Sequence, residues 1–155
     1  MAQFFEEKKT VVSTLYGGRG GGHWDDGLYQ SVRAINLCSG KCIDSIGVVY
    51  HKNEQIHAPA HGGRGGGLTT ITLGPNEFIK TISGHYGMAD WMSGRPVVIR
   101  SLKFQTNMKA YGPFGEELGS DRFTLIVKDG DKIIGFFGRS GEFLDAIGIH
   151  VETHP

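Results

Sequence analysis

The sequence predicts an all-β domain built on an internal three-fold repeat, and three observations carry that expectation. Apolar residues alternate with polar ones in stretches of five to ten residues, and nowhere do they hold a 3.6-residue period over twelve or more positions. Glycine makes up 25 of the 155 residues while proline makes up only 5, so turns are frequent although the chain is neither low-complexity nor collagen-like. The hexapeptide GGRGGG occurs twice, at 17–22 and at 62–67.

In chain order the candidate strands are 28–36 (LYQSVRAIN), 43–51 (IDSIGVVYH), 69–73 (TTITL), 78–84 (FIKTISG), 97–106 (VVIRSLKFQT), 122–128 (RFTLIVK), 132–138 (KIIGFFG) and 143–151 (FLDAIGIHV). Each is rich in β-branched or aromatic residues, and Gly, Asn or Asp stands in every gap between them. The DGD at 129–131 reads as an Asp-Gly hairpin joining the sixth and seventh strands.

A chain of this length makes one domain, which buries roughly two-thirds of its unfolded surface. Residues 1–12 read as an N-terminal extension able to add to the first strand, and 13–155 as the domain. Sixteen Lys and Arg balance sixteen Asp and Glu, so net charge draws the chain neither to nucleic acid nor to an anionic membrane. No apolar run approaches the ~18 residues of a membrane span. The start MAQFFEEKKT has acidic residues directly after two Phe and no apolar leader core, which predicts a cytoplasmic or nucleocytoplasmic protein. Cys38 and Cys42 are too few for a disulfide framework; with only His57 and His61 as further ligands, they read as free thiols, at least one semi-buried, rather than as a zinc site.

GKCIDSIGV at 40–48 and GEFLDAIGI at 141–149 match without gaps under a shift of 101. A third copy at 98–104, VIRSLKF, places Arg100 where the others carry Asp44 and Asp145. YGGRGGG at 16–22 and HGGRGGG at 61–67 likewise have a degenerate counterpart in YGPFGEE at 111–117, with Glu116 in the place of Gly21. Three repeats of about fifty residues follow, two with intact loops and one with both loops altered. Pairing each aspartate loop with the next glycine loop requires the chain ends to be neighbours, as in a closed three-fold arrangement of sheets.

The glycine loop before His23-Trp24-Asp25, the segment TNMKAYGPFGEELGS at 106–120 and above all the ending IIGFFGRSGEFLDAIGIHV at 133–151 resemble the jacalin-related lectins. The likeness is to the mannose-specific type with the two-site arrangement of banana lectin, and it runs from about Tyr16 to Val151. It implies a β-prism I fold of three four-stranded Greek-key sheets around a pseudo-three-fold axis, and carbohydrate binding without calcium, other cofactor or metal, or catalysis. By resemblance the first site uses Gly21 with Glu142, Phe143 and Asp145, and the second Gly66 with Lys41, Cys42 and Asp44; Glu142 and Phe143 act mainly through backbone groups. Galactose-preferring members are cleaved just before the residue matching Gly21, whereas this chain runs through Gly20-Gly21, so mannose- and glucose-containing glycans are the expected partners. The ring of Phe143 is expected to pack into the core. The resemblance also implies a homodimer or homotetramer and a mostly plant-derived branch.

The chemistry fits. An ionised carboxylate accepts from two neighbouring sugar hydroxyls at once, backbone N–H groups supply donors, and glycine keeps side chains from holding the ring away. Asp44 and Asp145 as turn caps would account for either motif alone. Turn geometry gives no reason for glycine and aspartate loops to fail together in the third repeat, which is expected to hold no sugar. Neither hexapeptide opens a helix or precedes Lys-Ser/Thr, which argues against a phosphate cradle. Arg19 and Arg64 alone do not make an RGG-type RNA binder, and Asp44 and Asp145 on separate loops do not make a hydrolytic pair, Glu142 beside Asp145 being the one local candidate. The competing expectation is a β-prism interaction module that binds galactose-type or complex glycans, or a protein, with little affinity for simple sugars.

Overall fold

Each repeat forms one antiparallel sheet in the computed structural model, which describes residues 8–154. The chain runs β1 (Lys9–Val12), β2 (Tyr16–Gly17), β3 (Gly22–Asp25), β4 (Ser31–Ser39), β5 (Ile43–Lys52), β6 (Glu54–His57), β7 (His61–Gly62), β8 (Gly67–Thr72), β9 (Ile79–Met88), β10 (Val97–Thr106), β11 (Ala110–Gly115), β12 (Asp121–Ile126), β13 (Lys132–Ser140) and β14 (Leu144–Thr153). All eight expected strands are present, and six short ones join them.

Strand orders are β6-β5-β4-β8, β11-β10-β9-β12 and β1-β14-β13-β3, with β7 added on β5 and β2 on β14. Each order places the fourth strand of a repeat beside its first, the Greek-key arrangement. The third sheet takes its inner hairpin from the C-terminus and its outer strands from the N-terminus, through Lys9↔Thr153, Ala146↔Gly17 and Gly138↔Trp24. Residues 9–12 and 150–153 are therefore neighbours, as the repeat pairing demanded. The inner strands β5, β10 and β14 contact one another and mark the axis of the β-prism.

The core fills the prism with the inward residues of all three sheets. Ile35, Leu37, Ile43 and Ile46 come from the first, Ile82, Ile99, Leu102 and Phe104 from the second, and Phe136, Leu144 and Ile147 from the third, all fully buried. Burying each such side chain contributes about 1.5–3 kcal/mol.

One polar cluster lies within this core. The Tyr50 hydroxyl donates to Asp26 Oδ2 at 2.6 Å and accepts from the Phe136 N–H at 3.0 Å, while Tyr29 stacks on the Tyr50 ring at 4.1 Å. His61 Nε2 lies 2.7 Å from Asp26 Oδ1, and its ring stacks on Trp24 at 3.8 Å. Trp24 follows the first glycine loop and His61 opens the second, so this cluster ties together the bases of both.

One expectation changes. The Asp129-Gly130-Asp131 turn closes with Asp131 N–H donating to Lys128 O at 3.0 Å, yet it makes no hairpin: β12 pairs with β9, and β13 with β14 and β3. It is a crossover between sheets. Residues 9–12, expected in an N-terminal extension able to add to the first strand, pair with β14 as an edge strand; residues 1–7, and with them most of the start MAQFFEEKKT, lie outside the described residues.

Candidate functional site

At one end of the prism every repeat carries the same interruption. The β4–β5 ladder passes from Cys38↔Ser45 to Ser39↔Ile43 and skips Asp44. The β13–β14 ladder skips Asp145 between Arg139↔Ala146 and Ser140↔Leu144, and β9–β10 skips Arg100 between His85↔Ser101 and Tyr86↔Ile99. The residue at a β-bulge leaves the alternation of the ladder, so its side chain is re-aimed. Its carbonyl docks the facing loop: Gly63 N–H donates to Asp44 O at 2.9 Å, Gly18 N–H to Asp145 O at 2.8 Å, and Glu116 N–H to Arg100 O at 2.9 Å.

The glycine loops then fold over the carboxylates. A Cβ on Gly20 would lie 2.8 Å from Asp145 Oδ2, and one on Gly21 2.8 Å from Oδ1; the same atoms on Gly65 and Gly66 would lie 2.6 Å from Asp44 Oδ2 and Oδ1. Gly21 and Gly66 also adopt φ of +67° and +80°, where an L side chain is strained. The structure thus brings Gly21 to Asp145 and Gly66 to Asp44. Two successive glycines straddle each carboxylate, and the backbone of Ser140 at Gly21 and of Ser39 at Gly66 also leaves no room for a Cβ.

Asp44 and Asp145 are 8% and 5% exposed. Burial lifts both carboxyls above the usual aspartate range, opposed at Asp145 by Arg139 and the Gly141 N–H, and at Asp44 by its own N–H. Lys41 and Glu142 are exposed beside them. A tight turn closes identically in both loops, with Gly40 N–H donating to Cys42 O and Gly141 N–H to Phe143 O, each at 3.0 Å. Burial pushes the Cys42 thiol up to about 12, with the Asp44 charge adding to it, so Cys42 serves as an apolar group. Cys38 and Cys42 are both free, Cys38 half-buried.

Phe143 departs from expectation. Its ring is half-buried and packs edge-on to Trp91, centroids 6.1 Å apart, in a small satellite cluster with Cys42, Ala89 and Val98 rather than in the main core. Trp91 lies between β9 and β10, and nothing in the repeats singled it out. Arg139 was also missed: its Nε and Nη2 donate to Gly20 O at 3.1 Å and Gly21 O at 2.8 Å, pinning the first glycine loop. The register gives Cys38 at the equivalent place in the second site. The Arg of GFFGRSG was the available signal.

The third repeat is differently occupied. Arg100, 6% exposed, donates through Nε to Lys41 O at 3.1 Å and through Nη1 to Met88 O at 3.0 Å, and its guanidinium lies 4.8 Å from the Trp91 ring centre. A guanidinium offers donors only, and Nε and Nη1 are already bonded to protein carbonyls. Glu116, however, does not stand in the place of Gly21. Ser101↔Gly115 corresponds to Ala146↔Gly17 and Ser45↔Gly62, which makes Glu116 the counterpart of Gly18 and Gly63. The shared Tyr-Gly suggested the wrong register: Phe114-Gly115, three residues after Tyr111-Gly112, takes the place of Tyr16-Gly17 and His61-Gly62.

Residues 13–150 match the Jacalin-like lectin domain. The chain is 45% identical over 150 residues to jacalin-related lectin 19 of Arabidopsis thaliana, covering 94% of this chain and 82% of that protein. It is 42% identical over 142 residues to an agglutinin of Castanea crenata, covering 88% of this chain but only 45% of the agglutinin. Among solved structures, a mannose-specific jacalin-related lectin from Morus nigra in complex with mannose superposes with a TM-score of 0.86 at 40% identity, over 98% of this chain and 100% of that one.

Proposed function

Because the chain belongs to the jacalin-like lectin family, whose members bind carbohydrate without catalysing a reaction, we propose that it is a calcium-independent lectin for mannose- and glucose-type sugars with two sites per chain. The first site is Gly21 with Glu142, Phe143 and Asp145; the second is Gly66 with Lys41, Cys42 and Asp44. The observation that carries this reading is the bulged, nearly buried aspartate straddled by two glycines, made twice and replaced once by Arg100.

In each site the carboxylate accepts from two adjacent hydroxyls of a pyranose, which satisfies an anion that its surroundings partly desolvate. Backbone N–H groups of the same loop and of the glycine loop donate to the sugar oxygens. Mannose as the ligand is supported by the mannose complex of the Morus nigra lectin, and the uncut Gly20-Gly21 link agrees with it. Shallow single-sugar sites bind weakly, on the order of millimolar to 0.1 mM, so two sites per chain and self-association as a dimer or tetramer supply avidity.

Titration calorimetry with methyl α-mannoside, methyl α-glucoside and methyl α-galactoside, with and without EDTA, tests the proposal. Heat is expected from the first two sugars and is unchanged by the chelator. A galactoside preference, or loss of binding with EDTA, would overturn it.

A further inference from the structure

The altered third repeat reaches into the second site. The bulge positions 44, 100 and 145 are each preceded, three residues earlier, by a carbonyl at an equivalent place: Lys41 O, Val97 O and Glu142 O. Two of these carbonyls lie under a glycine of a neighbouring repeat, Val97 O against Gly18 and Glu142 O against Gly63, so closely that neither glycine could carry a Cβ. The third loop has Glu116 at that glycine's place, and the carbonyl left over is Lys41 O. Arg100 takes it: Nε donates to Lys41 O at 3.1 Å, while Nη2 lies 4.0 Å from Glu116 Oε1.

We propose that Arg100 is a positioning residue for the second sugar site, holding the Lys41–Cys42 peptide so that the Cys42 N–H is presented to a sugar on Asp44. The inference rests on the reading of that site as sugar-binding. Carbonyl and N–H of a trans peptide point in opposite directions, so fixing Lys41 O on one side fixes the Cys42 N–H on the other. A charged donor on the carbonyl also polarises the peptide and strengthens its N–H. The guanidinium is held in turn by Met88 O and the Trp91 face, and it is too buried to swing into solvent. The corresponding carbonyl of the first site, Glu142 O, faces only the backbone of Gly63. The two sites are therefore inequivalent, and only the second has this carbonyl held by Arg100.

The test uses two parents of the full chain, Asp145→Ala with only the second site and Asp44→Ala with only the first, each titrated with methyl α-mannoside alone and with Arg100→Met or Arg100→Lys. Arg100→Met keeps an apolar partner for Trp91 and is expected to weaken the second site about tenfold, the effect of one charge-assisted hydrogen bond, while the first site stays within about twofold. Arg100→Lys, which keeps a donor within reach of Lys41 O, is expected to lose less. Binding at the first site reports in the same experiment that the variants are folded, and Arg100→Lys decides the matter if Arg100→Met does not fold. An unchanged second site, or equal losses at both sites, overturns the positioning role while leaving the lectin reading intact. Failure of both parents to bind the mannoside overturns the two together.

Discussion

Gly66→Ala perturbs the second site at a single atom. At φ +80° a side chain costs about 1–2 kcal/mol. The added Cβ would lie 2.6 Å from Asp44 Oδ1 and 2.7 Å from Ser39 N, where ordinary contact begins near 3.4 Å. The carboxylate must yield by 3.4 − 2.6 = 0.8 Å, and because Ser39 N belongs to the strand backbone, the glycine loop must lift away from it as well. Hydrogen bonds to a charged group contribute about 1.5–3 kcal/mol each, and a displacement of that size weakens both hydroxyl bonds of the carboxylate together. The dissociation constant at the second site is expected to rise at least tenfold, about 1.4 kcal/mol, so that calorimetry with methyl α-mannoside detects one site per chain where the wild type shows two. Gly67→Ala is the control, since the nearest atom to its Cβ is Ser39 O at 4.0 Å. Two sites of wild-type affinity in Gly66→Ala, or an equal loss in Gly67→Ala, would refute the reasoning.

Acidification should weaken sugar binding earlier than an ordinary aspartate would require. Only the ionised carboxylate accepts from two hydroxyls, and burial lifts Asp44 and Asp145, so affinity falls as pH drops through their raised pKa values, above the usual value of about 3.9. The sign for stability is the reverse: a carboxyl raised in the native state opposes folding at neutral pH, and that opposition is relieved over the same descent. Calorimetry and thermal melts across about pH 7 to pH 4 check both trends. Tyr50→Phe removes the hydroxyl that joins Asp26 to the Phe136 N–H inside the core and should cost about 1–3 kcal/mol, lowering Tm by about 3 to 10 °C. An alkylating reagent at mildly alkaline pH should label half-buried Cys38 in the native protein and spare Cys42, whose thiol is 1% exposed and pushed up to about 12; mass spectrometry of the peptides reads the result.

The long strands were legible because their apolar alternation is the core itself: Ile46, Val48 and Tyr50 face inward along β5, as Ile147, Ile149 and Val151 do along β14. β1, β2, β3, β6, β7 and β11 were not, since they are two to six residues long and mostly exposed, and their strand character comes from the inner strand they pair with. Asp-Gly at 129–130 marks a turn reliably but carries no information on what its flanks pair with, so a crossover between sheets read as a hairpin. The two aspartate–glycine pairs were visible as a repeat, whereas the bulges that aim the aspartates appear only in the ladder register. Glu116 shows the limit of matching by identity: the Tyr-Gly at 111–112 lies three residues before Phe114-Gly115, the pair that takes the place of Tyr16-Gly17, and so hides that Glu116 replaces Gly18 rather than Gly21. Trp91 acts through contacts distant in sequence that no spacing announces, whereas Arg139 stood in the motif GFFGRSG without its partners, Gly20 O and Gly21 O, being visible.

The central claim, two independent sugar sites built on Asp44 and Asp145, is tested most directly by the calorimetric stoichiometry of methyl α-mannoside across wild type, Asp44→Ala, Asp145→Ala and the double variant. Two, one, one and no sugars per chain are expected. A wild-type value of one, unchanged by Asp44→Ala, would contradict the claim.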